Sequence, residues 1–179
     1  MCFGALDRYS LVSGAMRLPK DGAADWLRAH QRDGRPLLAL VTHPLCPCTD
    51  ASVAELRDFL VRSRGGCDAI IIQVAAAPAF NSAEPGVMEF GGSRLTTLHD
   101  PDGAVAALLG AETSGHAVFM DASGEIRFHG GLTIARGHRG ESPAQQALLA
   151  MVQNTPTTVC VAPVYGCPLA DPNQGGGTR

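Results

Sequence analysis

An α/β domain built around buried strands and flanked by helices is the fold class this sequence predicts, and three segments predict it. Residues 36–42 (PLLALVT) and 68–74 (DAIIIQV) are continuous apolar runs, as expected of strands covered on both faces. Between them, residues 50–64 carry Val53, Leu56, Phe59 and Leu60 at helical spacing and end at Gly65 and Gly66. Strand, helix and strand in that order form a right-handed parallel crossover.

The remaining elements follow in order. Residues 21–32 suggest a short amphipathic helix before the first strand, with Ala24, Trp26 and Leu27 on one side. Residues 75–92 hold two prolines and several glycines without a period, and read as a long surface loop. A short extended piece at 95–98 leads to Asp100-Pro101-Asp102-Gly103, a turn and helix entry, and then to a short helix over 104–109 that Gly110 ends. Residues 116–120 and 125–129 flank the turn Asp121–Gly124 as an antiparallel hairpin, which Gly130 and Gly131 close. Residues 137–140 are irregular, and 143–152 form the last helix. The organisation expected is an N-terminal extension over 1–34, one domain over 35–153 and a Pro/Gly-rich tail over 154–179, ordered in part at best.

A chain of 179 residues is long enough to bury one core without staples. Its net charge of −3 lacks the basic excess that nucleic acid or an anionic membrane calls for, and a 5% aromatic content supplies few stacking platforms. No nucleic-acid or membrane partner is therefore expected. The first residues lack a basic stretch followed by an apolar one, so the expected location is cytoplasmic.

Six cysteines (Cys2, Cys46, Cys48, Cys67, Cys160 and Cys167) are too few and too unevenly spaced for a disulfide framework. The Cys46-Pro47-Cys48 dithiol falls between a buried strand and a helix. Unpaired N–H groups and the helix dipole favour a thiolate there. The expectation is Cys46 in the N-cap region, Pro47 at the first helical position and Cys48 in the first turn. A disulfide across one intervening residue closes a small ring and should be readily reduced, which suits exchange. His43 is a candidate for lowering the thiol pKa, or simply a strand-end side chain. Cys46, Cys48 and His43 also make a possible ligand set for zinc or copper, although no second ligand pair completes a strong signature.

Three stretches carry a resemblance to a known family. Residues 38–56 (LALVTHPLCPCTDASVAEL) match an active-site strand, its cysteines and the following helix. Residues 98–110 and 113–124 match a segment leading to a final hairpin, and residues 130–141 with 164–169 match more weakly. On these the chain resembles the thioredoxin-like proteins, in particular the bacterial TlpA and RedB-type branch, over about residues 35–152. The resemblance implies a central mixed sheet with helices on both faces and thiol–disulfide exchange without a cofactor. In it one cysteine, Cys46, attacks, and its neighbour, Cys48, resolves the mixed disulfide with a protein or small-molecule partner. Two departures stand out. The family has two residues between its cysteines where Pro47 stands alone, and a cis-proline facing the site where this chain has Gly115, followed by His116.

Other residues have competing readings. Cys167, in Gly166-Cys167-Pro168, is either a thiol that folds back to resolve or regulate the pair or an incidental exposed one. Cys67 reads as a packing residue, and Cys2 and Cys160 receive no role. Arg136-Gly137-His138-Arg139 reads as a solvated loop in preference to an anion site. His99-Asp100 reads as turn chemistry in preference to a relay. Beside thiol exchange, two other functions fit the sequence, a metal-binding module and a non-catalytic interaction domain. A peroxidase reading lacks an identifiable arginine beside the cysteine.

Overall fold

Strand β1 (Leu37–Thr42) lies mid-sheet and is buried along its whole length. The computed structural model describes residues 11–43, 46–74 and 86–169. Alternation along β1 divides its side chains between two cores. Leu38 and Leu40 face one, with Leu56, Phe59, Leu60 and Leu148. Leu37, Ala39 and Val41 face the other, with Ala23, Leu27, Ala106 and Leu109. That is why the run is apolar without a period of two.

The second strand β2 (Asp68–Gln73) pairs parallel with β1, and β4 (Ser93–His99) parallel with β2. On the other side of β1, β5 (His116–Met120) pairs antiparallel and forms a hairpin with β6 (Ile126–Gly131). With β3 (Val87–Phe90) and β7 (Val161–Ala162) at the edges, the order is β3-β4-β2-β1-β5-β6-β7 in a mixed sheet. Helices α2 (Thr49–Ser63) and α4 (Pro143–Val152) supply the first core, and α1 (Ala23–His30) and α3 (Ala104–Leu108) the second. The expected α/β layout with helices on both faces is the one observed.

Local chemistry sets the helix ends. Ser142 caps α4 by accepting from the Gln145 N–H, with Pro143 in the first turn. Buried Asp100 accepts from the Val105 and Ala106 N–H groups at 3.1 and 2.8 Å, so its role is to cap α3. No helix among the described residues is long and apolar enough to cross a membrane.

Three segments differ from expectation. The loop expected over 75–92 contains β3, an exposed edge strand paired with β4; residues 75–85 lie outside the described residues. Gly130 and Gly131 do not end the hairpin but continue β6 opposite Ala117 and His116. Their glycine identity serves a close approach. A Cβ on Gly130 would lie 2.2 Å from the Ala162 carbonyl oxygen, and one on Gly131 2.5 Å from that of Pro163. The tail uses this space. Residues 161–162 add β7 parallel to β6, and Gly14 bridges to Val164.

Candidate functional site: a three-thiol cluster

Between β1 and α2 the chain turns at residues 46–49. The Cys46 N–H donates to the His43 carbonyl at 3.0 Å, and the Thr49 N–H to the Cys46 carbonyl at 3.0 Å. Pro47 takes the second position of that turn, where its fixed φ is preorganised, and Cys48 follows at φ −75°. The N-cap therefore falls two residues later than the sequence suggested. Cys48, not Cys46, is the N-cap residue, because the four-residue turn consumes the bonds that a first helical turn would have made. Pro44 and Leu45 lie outside the described residues.

Cys46 is buried and Cys48 half-buried. The tail supplies a third thiol. The Cys167 N–H donates to Cys46 Sγ at 3.3 Å, and the two side chains also hydrogen-bond. Burial works against ionisation of Cys46. Hydrogen bonds from Cys167 (side chain and backbone), the Cys48 backbone and the Ser114 hydroxyl outweigh it and hold Cys46 below the ordinary thiol range. For Cys48 burial comes first and the charge on Cys46 second, and both push its pKa up; Arg136 and the Gly137 backbone oppose them. Cys167 is pushed up to about 12 by burial and by its bond to Cys46, again opposed by Arg136. Of the three thiols, Cys46 is thus the one whose ionisation the cluster favours, with its neighbours as donors.

Ser114 is the residue that sequence reasoning missed. It is buried on the loop before β5, accepts from the His43 N–H at 3.0 Å, and lies 3.1 Å from Thr49 Oγ1. Thr49 gives its proton to the His43 carbonyl at 2.9 Å, so in the Thr49–Ser114 pair Ser114 is the donor, and its single proton is shared between Thr49 Oγ1 and the sulfur of Cys46. For Arg136 the solvated-loop reading is corrected. This residue is half-buried, donates to the Gly166 carbonyl, and places positive charge near Cys48 and Cys167, while Gly137, His138 and Arg139 are exposed as expected of a solvated loop.

The other candidates are resolved by position. His43 contributes its backbone amide and carbonyl to the turn, and its ring is not among the influences on Cys46. Gly115 sits at φ +93° and donates its N–H to the Val41 carbonyl at 2.8 Å, holding the Ser114 loop against the end of β1. His116 is fully buried on β5, with its ring centroid 6.0 Å from that of His129. Its alternation places it with Val118 and Met120 on the side of the second core. Cys67 is fully buried, its thiol driven up chiefly by desolvation, as suits a packing residue; Cys160 is exposed. Among the described residues no group of three or more His, Cys, Asp or Glu side chains is arranged to hold a metal, so the set Cys46, Cys48 and His43 is not assembled as ligands.

Solved structures share this architecture. A hypothetical protein from Sinorhizobium meliloti superposes with a TM-score of 0.57 at 19% identity, over 89% of this chain and 93% of that one. An uncharacterized conserved protein from Geobacillus kaustophilus gives 0.55 at 16% identity, over 78% and 79%. The fold is thioredoxin-like. A looser likeness, TM-score 0.44 at 17% identity over 81% and 94%, is to a putative thiol:disulfide interchange protein DsbE from Chlorobium tepidum. No family model and no curated protein matches the chain.

Proposed function

We propose that the chain is a thiol–disulfide oxidoreductase in which Cys46 is the nucleophile and Cys48 a resolving thiol. The observation that carries this reading is the convergence of donors from Cys167, Cys48 and Ser114 on one buried sulfur. Such an arrangement stabilises a thiolate against desolvation, which a merely structural cysteine does not need.

In the reductive direction the Cys46 thiolate attacks one sulfur of a substrate disulfide. A Cys46–substrate S–S bond forms, the substrate's own S–S bond breaks, and the other substrate sulfur leaves as a thiolate that takes up a proton. Cys48, deprotonated, then attacks the Cys46 sulfur. The Cys46–Cys48 bond forms, the second substrate thiol departs, and two electrons have passed from protein to substrate. Arg136 eases deprotonation of Cys48 at that step. The partner is a protein or small molecule carrying a disulfide, and the exchange needs no cofactor.

The test is a redox titration of the full chain against defined glutathione ratios, read by alkylation and mass spectrometry. A reversible two-electron transition involving Cys46, abolished by Cys46→Ser, supports the reading. Thiols that stay reduced across the range of potentials rule it out.

A further inference from the structure

The tail cysteine is held too deliberately for an incidental thiol. Its segment is stitched to the loop before β5 on both sides: the Ser114 N–H donates to the Cys167 carbonyl at 2.9 Å, and the Leu169 N–H to the Glu112 carbonyl at 2.9 Å. Thr113 bridges to Pro168, and Arg136 donates to the Gly166 carbonyl. The fit depends on Gly166, where a Cβ would lie 1.9 Å from the Ser114 carbonyl oxygen. The result is a strap whose amide nitrogen sits 3.3 Å from the Cys46 sulfur, with the free Cys167 thiol hydrogen-bonded to the same atom.

We propose that Cys167 is a second resolving thiol, so that oxidised Cys46 closes either on Cys48 or, across the fold, on Cys167. This rests on the oxidoreductase reading above and adds a branch to it. From a Cys46–substrate mixed disulfide, deprotonated Cys167 attacks the Cys46 sulfur. The Cys46–Cys167 bond forms, the Cys46–substrate bond breaks, and the departing thiolate takes the proton that Cys167 released. The electron count is that of resolution by Cys48. Attack of Cys48 on the new disulfide then moves the bond to Cys46–Cys48 and returns Cys167 to a thiol, with no net redox change.

Two features favour the branch. The main brakes on Cys167 ionisation, after burial, are its bond to and repulsion by Cys46, and both vanish once Cys46 is tied up in a mixed disulfide, while Arg136 remains. Cys46 and Cys48, by contrast, share one tight turn fixed by Pro47, and a bond between them must close a small ring. The Cys46–Cys167 bond has a further consequence, since it locks the strap over the site whereas the Cys46–Cys48 bond leaves the strap on hydrogen bonds alone.

The experiment uses the full chain in a Cys160→Ser background and glutathione disulfide as the probe. Serine at 48, at 167 and at both positions gives three variants, with non-reducing peptide mapping as the readout. The expected result is a Cys46–Cys167 cross-link in the Cys48→Ser protein. Glutathione should then accumulate on Cys46 in the doubly substituted protein, at about tenfold the level in Cys48→Ser. Serine keeps the backbone amide at 167, so the bond to Cys46 survives the test. Equal trapping in Cys48→Ser and in the double variant, with Cys167 freely alkylated in both, overturns the branch and leaves the oxidoreductase intact. A Cys46 that takes no glutathione in any variant overturns the oxidoreductase reading, and the branch with it.

Discussion

Across 121 positions of sequence, the amide N–H of Cys167 meets the sulfur of Cys46 at 3.3 Å. A thioredoxin-like helix start already favours a thiolate nearby; here a segment from the end of the described chain adds a donor. The strap and the nucleophile are therefore one electrostatic unit. Displacing the strap must weaken the thiolate even when no cysteine is altered.

Gly166→Val tests that dependence. Its Cβ has no room beside the Ser114 carbonyl, so the strap must lift and take the Cys167 donors with it. In the unaltered protein, iodoacetamide should modify Cys46 with a pH midpoint below the value of an ordinary thiol. The variant's midpoint should rise to about that value or above it, since burial then acts with fewer opposing bonds. A midpoint unchanged in a variant that still folds would remove the strap from the account of Cys46.

Arg136→Met addresses the resolving step. Arg136 opposes the upward shift of both Cys48 and Cys167, so its loss raises both thiols and leaves Cys46 to its own donors. The rise lowers the thiolate fraction, and the greater nucleophilicity of a more basic sulfur returns part of what is lost. The net expectation is closure of the intramolecular disulfide slowed about three- to fourfold. Stopped-flow release of a chromogenic thiol after the first attack separates this step from the attack itself, which should hardly change.

Gly115→Pro tests whether the loop before β5 tolerates a proline. Gly115 lies at φ +93°, which proline cannot adopt, and its N–H donates to the Val41 carbonyl. The substitution should lower stability by about 3 kcal/mol or more in urea titrations. Gly115→Ala keeps the N–H but meets Ser52 Oγ at 2.9 Å in a strained conformation, and should lose about 1–3 kcal/mol. A proline variant as stable as the parent would mean that the loop relaxes to a conformation that proline can adopt.

Most of the sheet was legible because its signals are local and strong. The apolar runs of β1 and β2 and the periodic α2 between them leave few alternatives, and the turn at Asp121–Gly124 fixes a hairpin. Edge strands β3 and β7 were not legible. Val87 and Met88 are exposed, and a two-residue strand such as Val161–Ala162 has no period to detect. The nucleophile was visible in Cys46-Pro47-Cys48, yet its setting was not, because Ser114, Arg136 and Cys167 come from three separate segments that only the tertiary fold unites. The glycines at 130, 131 and 166 were the one available signal. Each marks a place where the tail passes close to another backbone, and sequence alone reads such glycines as ends and loops.

His116 gives the fold its own pH dependence, separate from the thiols. It is fully buried, and neither ring nitrogen finds a partner at full hydrogen-bond geometry, although the Gly110 carbonyl mildly favours the charged form. Desolvation, reinforced by His129 across the hairpin, lowers its pKa to about 4 from an unfolded value of 6.5. Between these values the unfolded chain binds the proton and the folded chain does not. Stability is therefore highest above pH 6.5 and falls as the pH drops towards 4, by roughly 3 kcal/mol from this residue. His129, also lowered by burial, acts in the same sense. Carboxylates contribute to acid unfolding as well, so the informative quantity is a difference. Urea titrations of the parent and His116→Leu at pH 7, 6, 5 and 4 should diverge, with the parent losing more stability than the variant on acidification. Parallel losses would place the acid sensitivity elsewhere and would mean that the folded protein accommodates a charged His116.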